Sequence, residues 1–148
     1  MIKIQRFDQT QTLAEQPRLL RLAREVFAEV APGYVEWRIA NMPDLSCFIA
    51  THDDEWCGFK CGYALTKRRY YSWFGGVVPT LRGKGIAAEL MQAQHNWLQG
   101  TDYQVVETHV RQNNLAMVRA NQKFGFKIVG RFLKSSQVNL IMQAEIGA

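Results

Sequence analysis

The sequence has 148 residues, of which 47% are apolar and 11% aromatic; this is enough to build one sizeable core and too little for a modular protein. Its net charge of +5, from 18 Lys and Arg against 13 Asp and Glu, is spread in ones and twos, with Lys67-Arg68-Arg69 as the densest run, which suits an anionic small ligand rather than nucleic acid. No run approaches the ~18–20 apolar residues of a membrane span, and the N-terminus lacks the apolar stretch of a secretory signal, so a soluble, cytoplasmic protein with no membrane partner is expected.

Residues 2–7, Ile-Lys-Ile-Gln-Arg-Phe, alternate apolar and polar and predict an opening strand. Asp8 or Thr10 is placed to cap a helix. Leu13, Leu19, Leu20, Ala23, Val26, Phe27 and Val30 form its stripe over about 13–30, with Pro17 as an interruption near the first turns and Pro32-Gly33 as the end. Residues 34–42 predict a short second helix stopped before Pro43. Segments 45–51 and 56–66 flank the polar turn His52-Asp53-Asp54-Glu55 and predict a hairpin. The aromatic and β-branched segment 70–78 adds a third strand, and the pair Gly75-Gly76 inside it predicts a bulge or a close backbone approach by a ligand.

After Pro79 the period changes, with Ile86, Leu90, Ala93 and Trp97 at helical spacing up to Gly100. Residues 103–110 predict a strand, 115–124 a helix ended by Gly125, and 126–132 and 138–144 two closing strands. The order β, α, α, β, β, β, α, β, α, β, β predicts an α/β (α+β) domain spanning 1–148: a seven-stranded mixed sheet with about four helices on its faces. Cys47, Cys57 and Cys61 cannot all pair, and no histidine or second close cysteine pair completes a metal site. They read as buried reduced thiols, and no metal is expected.

The most informative segment runs from Trp73 to Ala88, a strand, a tight turn and a helix that begins at once. A helix N-terminus presents unpaired backbone N–H groups and a positive dipole end, which favour an anion such as a pyrophosphate. Gly83 and Gly85 allow the backbone to approach it, and Arg82 and Lys84 add charge.

Arg82-x-x-Gly85-x-Ala87 after Val77-Val78-Pro79 resembles the acyl-CoA signature of the GNAT superfamily of N-acetyltransferases. The stretch Asn114-Leu-Ala-Met-Val-Arg-Ala-Asn-Gln-Lys-Phe-Gly125-Phe126 resembles that superfamily's later motif, in which an asparagine opens a helix closing in Gly-Phe. The resemblance implies a mostly antiparallel sheet whose bulged fourth strand splays from the fifth. It also implies direct transfer of an acyl group, acetyl above all, from acetyl-CoA to a primary amine of unread identity.

On that resemblance Gly75, Gly76, Val77 and Val78 face the pantetheine, and the Val77 N–H stabilises the oxyanion. Gly83, Lys84, Gly85, Ile86, Ala87 and Ala88 take the pyrophosphate with Arg82, and Asn114 bonds the pantetheine arm. The family's usual tyrosine, the acid for the departing thiolate, is replaced by Asn121, whose amide can hydrogen-bond sulfur but cannot deliver a proton. His109, five residues before Asn114 where some family members carry a catalytic glutamate, is the candidate base, and Glu107 on the same strand face is placed to orient or replace it.

Tyr34, Trp37, Tyr70, Tyr71 and Trp73 are candidates for walling an acceptor pocket, and Glu29 and Glu36 for meeting a cationic amine. His52 and His95 read as solvated. The alternative to an enzyme is a CoA-binding sensor of the same fold without turnover. Exposed strands near the C-terminus offer a route to a homodimer.

Overall fold

The computed structural model describes residues 1–147. Its elements are β1 (Ile2–Phe7), α1 (Gln9–Ala14), α2 (Gln16–Val26), α3 (Tyr34–Asn41), β2 (Ser46–His52), β3 (Glu55–Ala64), β4 (Arg69–Val77), a 3₁₀ turn (Pro79–Leu81), α4 (Ile86–Gln99), β5 (Val105–Arg111), α5 (Leu115–Lys123), β6 (Lys127–Lys134) and β7 (Gln137–Glu145).

The helix expected over 13–30 is two helices, so five α-helices flank the sheet rather than about four. Asp8 caps α1 through a reciprocal capping box with Gln11. Pro17 sits in the first turn of α2, where its missing N–H costs nothing, and Glu15 forms the joint between the two helices. α2 stops at Val26 because Phe27 turns extended (φ −115°, ψ 135°). Its ring then packs on Phe59 and Phe74 at 6.4 and 6.1 Å.

The seven strands run in the order β1-β2-β3-β4-β5-β7-β6, and only β4 and β5 are parallel. The hairpin turns at Asp53-Asp54 and Ser135-Ser136 hold both central residues at positive φ, the geometry that matches strand twist in two-residue hairpins. On one face, Leu19, Leu22 and Ala23 of α2 and Val35 and Ile39 of α3 pack on Ile49, Phe59 and Tyr63. On the other, Ile86 and Leu90 of α4 cover Phe48, Cys57 and Val77, while Leu98 of α4 and Val118 of α5 cover Tyr70, Val106 and Val110. The three cysteines are buried and free. Among the described residues no helix is long and apolar enough to cross a membrane.

The feature that positions the site is the parting of β4 from β5. The two strands pair only at Arg69, Tyr71 and the residue between, opposite Val105 to Glu107. Beyond Tyr71 a register shift between Cys61 and Gly62 leaves Trp73 without a partner on β3. Such a bulge bends its strand and sharpens the twist, so β4 turns away from β5.

Gly75 and Gly76 serve this bend. A Cβ on Gly75 would collide with the Phe59 carbonyl oxygen, and one on Gly76 with the Val26 side chain. The close approach anticipated at this pair is therefore made by the protein's own strand and helix. Gly75→Ala pushes a methyl into fixed backbone and is expected to cost about 1–3 kcal/mol, a fall of several degrees in the thermal midpoint for a domain of this size. An unchanged midpoint would show that β3 and β4 separate freely there.

Candidate active site at the parted strands

In an antiparallel pair, residues that exchange hydrogen bonds alternate with residues whose N–H groups point away. The Val78 N–H donates to the Cys57 carbonyl at 2.9 Å, and Val77 stands opposite Gly58. The Val77 N–H therefore points away from β3, into the gap where β5 would have paired. The same alternation turns the Gly75 N–H toward the gap. The Val77 side chain stays in the core, and Val78 packs against it.

The gap opens into a cavity of about 640 Å³ bordered by Ser72, Gly75, Thr108, Asn114, Met117 and Asn121. Asn114 caps α5, its side-chain oxygen accepting from the Met117 N–H at 3.3 Å, which leaves its NH₂ group unused. Asn121 is buried, with its amide nitrogen 3.7 Å from the Met142 sulfur.

Past the end of β4, Gly83 (φ 79°) and Gly85 (φ 83°) adopt left-handed backbone, and no protein atom lies within 4 Å of where a Cβ would stand on either. Gly85 is the N-cap of α4 and supplies no side-chain cap. The first helical bond runs from the Glu89 N–H to the Gly85 carbonyl, so the N–H groups of Ile86, Ala87 and Ala88 have no helical partner. Of these residues only Ile86 sends its side chain into the core.

Lys84 is exposed beside the turn. Arg82 is tied down: its Nε donates to the Val77 carbonyl at 3.1 Å and an Nη to the Val26 carbonyl at 3.3 Å. The guanidinium thus joins the end of β4 to the C-terminus of α2, a strap that sequence spacing did not indicate.

On the opposite face of the sheet, His109 Nε2 lies 2.9 Å from a Glu107 carboxylate oxygen. The other oxygen accepts from Gln143 Nε2 at 2.8 Å and stands 3.8 Å from an Arg69 guanidinium nitrogen. Because a carboxylate only accepts, Nε2 is the donor here, and in the neutral imidazole that places the lone pair on Nδ1. Tyr71 and Phe132 hold the imidazole ring from two sides at 4.7 and 5.1 Å. Burial pushes the Tyr71 hydroxyl well above the ordinary tyrosine range, so it remains a neutral donor.

His109 borders both the gap and a second cavity of about 580 Å³. Tyr34, Tyr71 and Trp73 line that second cavity as expected, together with Glu29. Tyr70 does not; it is fully buried on the α4 side. Trp37 is 58% exposed, and neither it nor Glu36 borders the cavity. Sequence reasoning missed Phe27, brought in by the extended segment after α2, and Arg111, Phe132 and Lys134, delivered by the C-terminal strands. His52 is part-exposed and lies 3.5 Å from Asp53. His95 corrects the expectation of a solvated ring: it packs on Phe124 and Phe126 with Nε2 buried and unpartnered. Burial lowers its pKa.

Among the described residues no group of three His, Cys, Asp or Glu is arranged to hold a metal ion.

The model of the acetyltransferase (GNAT) family matches residues 16–126. No curated protein matches the chain in sequence. Among solved structures, the Escherichia coli ribosomal-protein-S18-alanine N-acetyltransferase superposes with a TM-score of 0.81 at 16% identity, over 100% of this chain and 96% of that one. Arabidopsis thaliana NAA60 in complex with acetyl-CoA gives 0.78 at 18% identity over 100% of both chains. A GNAT family acetyltransferase from Elizabethkingia anophelis with acetyl-CoA bound gives 0.78 at 12% identity over 97% of both.

Proposed function

The chain belongs to the acetyltransferase (GNAT) family, and on that premise we propose that it moves an acetyl group from acetyl-CoA to a primary amine by direct attack, with His109 as the base. The observation that carries this reading is His109, held by Glu107, at the wall common to two cavities; in this reading one takes the thioester and the other the amine.

In this reading the pyrophosphate rests on the N–H groups of Ile86, Ala87 and Ala88, with Gly83 and Gly85 giving it access and Lys84 adding charge. Pantetheine runs through the gap past Asn114, and Gly75, Gly76 and Val78 border its path. The thioester carbonyl oxygen meets the Val77 N–H, a fixed dipole aimed at the charge that develops there. The amine enters the aromatic cavity neutral, attacks the carbonyl carbon and gives a proton to His109 Nδ1. Glu107 orients the ring and stabilises the imidazolium. Asn121 lies at the floor of the gap, where its amide can hydrogen-bond sulfur. Three buried free thiols suit a reducing cytoplasm. β6, at the edge of the sheet, offers unpaired backbone for a second copy.

The test is a thermal melt with and without acetyl-CoA, followed by thiol release on a panel of primary amines. Ligand at about 100 times its dissociation constant adds roughly 2.7 kcal/mol, which raises the midpoint by several degrees. No shift at millimolar acetyl-CoA overturns the reading. A shift without thiol release for any amine would instead make the protein a CoA-binding sensor.

A further inference from the structure

Direct attack on a thioester is accelerated by two proton-handling groups, a base on the amine side of the carbonyl and a donor on the sulfur side. His109 answers only the first, and Asn121 has no proton to give. The α4 side of the gap supplies a group for the second. On β3, Phe59 and Cys61 face the core under α2 and α3. A Cβ on Gly58 would touch Leu90, and one on Gly62 would stand 3.1 Å from Gln94 Nε2, both on α4. Lys60, between these two glycines, therefore projects to the α4 side. There it borders the same cavity as Ser72, Gly75 and Asn121, directly across from Gly75.

Its surroundings hold polar groups whose hydrogen bonds are unmet. Gln94 is fully buried with both amide atoms unpartnered, and the Ser72 hydroxyl is buried and unpartnered as well. Buried polar atoms without partners are rare in folded proteins and call for a ligand, water or ion. Lys60 has no carboxylate partner among the described residues.

We propose that Lys60 is the catalytic acid of the transfer, its ammonium placed on the sulfur side of the gap to protonate the departing CoA thiolate while His109 serves the amine on the opposite face. This rests on the acetyl-CoA reading above.

The amine reaches the cavity neutral, one proton having gone to water, and its lone pair forms the C–N bond. His109 Nδ1 takes a proton from the nitrogen. The C–S bond breaks with its electron pair on sulfur, and Lys60 delivers a proton to give CoA–SH and the amide. His109 then loses a proton to solvent and Lys60 gains one, which leaves one proton released per turnover.

The electrostatics suit the task. Burial lowers the Lys60 pKa to about 8, against a smaller opposing pull from Cys61, close to the ~8.5 of a free thiol, so proton transfer to the thiolate is nearly balanced. Its strand neighbours, Phe48 on β2 and Gly75 on β4, are uncharged; His95 on α4 has its pKa lowered by burial and by Lys60 itself; and Asn121 and Met117 of α5, with Glu29, His109 and Arg111, line the same cavity.

The test needs no acceptor. CoA itself is bound to wild type, Lys60→Met and Lys60→Arg, and the thiol of the bound ligand is titrated by the ultraviolet absorbance of its thiolate. The thiol in wild type is expected to titrate about one pH unit below that in Lys60→Met, a tenfold difference in thiolate at a given pH; Lys60→Arg, which keeps the cation, follows wild type. With an amine, both variants lose the alkaline limb of the rate profile near pH 8, and Lys60→Met turns over at least about 10²-fold more slowly.

Folding is checked by the same melts. Wild type carries a partly buried charge below pH 8 that Lys60→Met lacks, so the variant's midpoint advantage is largest there. That advantage fades as pH rises from about 8 toward the ordinary lysine value of 10.5, where the unfolded chain also becomes neutral. Equal thiol titrations in wild type and Lys60→Met overturn the proposal, as does an alkaline limb retained in Lys60→Arg. Loss of CoA affinity in Lys60→Met with no change in thiol titration would make Lys60 an anchor and likewise overturn it. Failure of wild type to bind CoA at all removes the acetyl-CoA reading first.

Discussion

Replacing His109 with glutamine is expected to lower the acyl-transfer rate at neutral pH by about 10²- to 10⁴-fold, the range over which a positioned base accelerates proton transfer, while leaving the acetyl-CoA thermal shift intact. Glutamine retains a hydrogen-bonding side chain beside Glu107 but has no lone-pair nitrogen to accept a proton. The cofactor affinity should hold because the glycine turn proposed for the pyrophosphate, at the start of α4, does not include the imidazole. Glu107→Gln keeps the volume and one acceptor for Gln143 Nε2 but removes the charge that stabilises an imidazolium. Its expected loss is smaller, about tenfold, because it acts through His109, and the double variant should be no slower than His109→Gln alone. An unchanged rate in His109→Gln would remove the residue from the mechanism.

Gly85→Val is expected to weaken acetyl-CoA binding by at least about 10²-fold, measured by calorimetry or by the ligand-induced midpoint shift. Two effects combine. A β-branched residue at φ 83° is strained by roughly 1–3 kcal/mol, so the turn relaxes and its N–H groups lose their common aim. Its side chain would also occupy the space that the pyrophosphate needs. Because no protein atom lies within 4 Å of that Cβ position, the fold itself has room for the side chain. The stability loss should stay within the backbone strain, while the affinity loss should exceed it. Intact affinity would move the anion site away from this turn.

The turn that carries this second prediction was legible in the sequence, because its determinants are local. Glycines at 83 and 85 and helical spacing from Ile86 specify left-handed backbone and a helix start whatever surrounds them. The seven strands were legible for the same reason, since period-two alternation and short polar turns act within a few residues. Glu107 and His109 share a strand face at two-residue spacing, which made their partnership readable without a fold.

The break between α1 and α2 was half visible. Pro17 announced an interruption, but the apolar stripe continues through Val30, and what ends α2 at Val26 is the packing of the Phe27 ring on Phe59 and Phe74. Gly75 and Gly76 were singled out correctly as unusual, yet the atoms that require glycine there belong to Phe59 and Val26, one on another strand and the other on a distant helix. Arg82 was read as free charge and is held by two backbone carbonyls. His95 was read as solvated because its stripe position is marginal, and the rings that bury it come from beyond α5.

Composition, period and turn chemistry by themselves determined the strands, the later helices and the glycine turn that opens α4, because each is decided by backbone preferences and side-chain alternation within a few residues. Tertiary structure alone decided the parting of β4 from β5, the second cavity and the placing of Lys60 behind the gap. Those depend on strand register across the chain, on one bulge opposite Trp73 and on side chains that meet only after helices and strands far apart in sequence have packed.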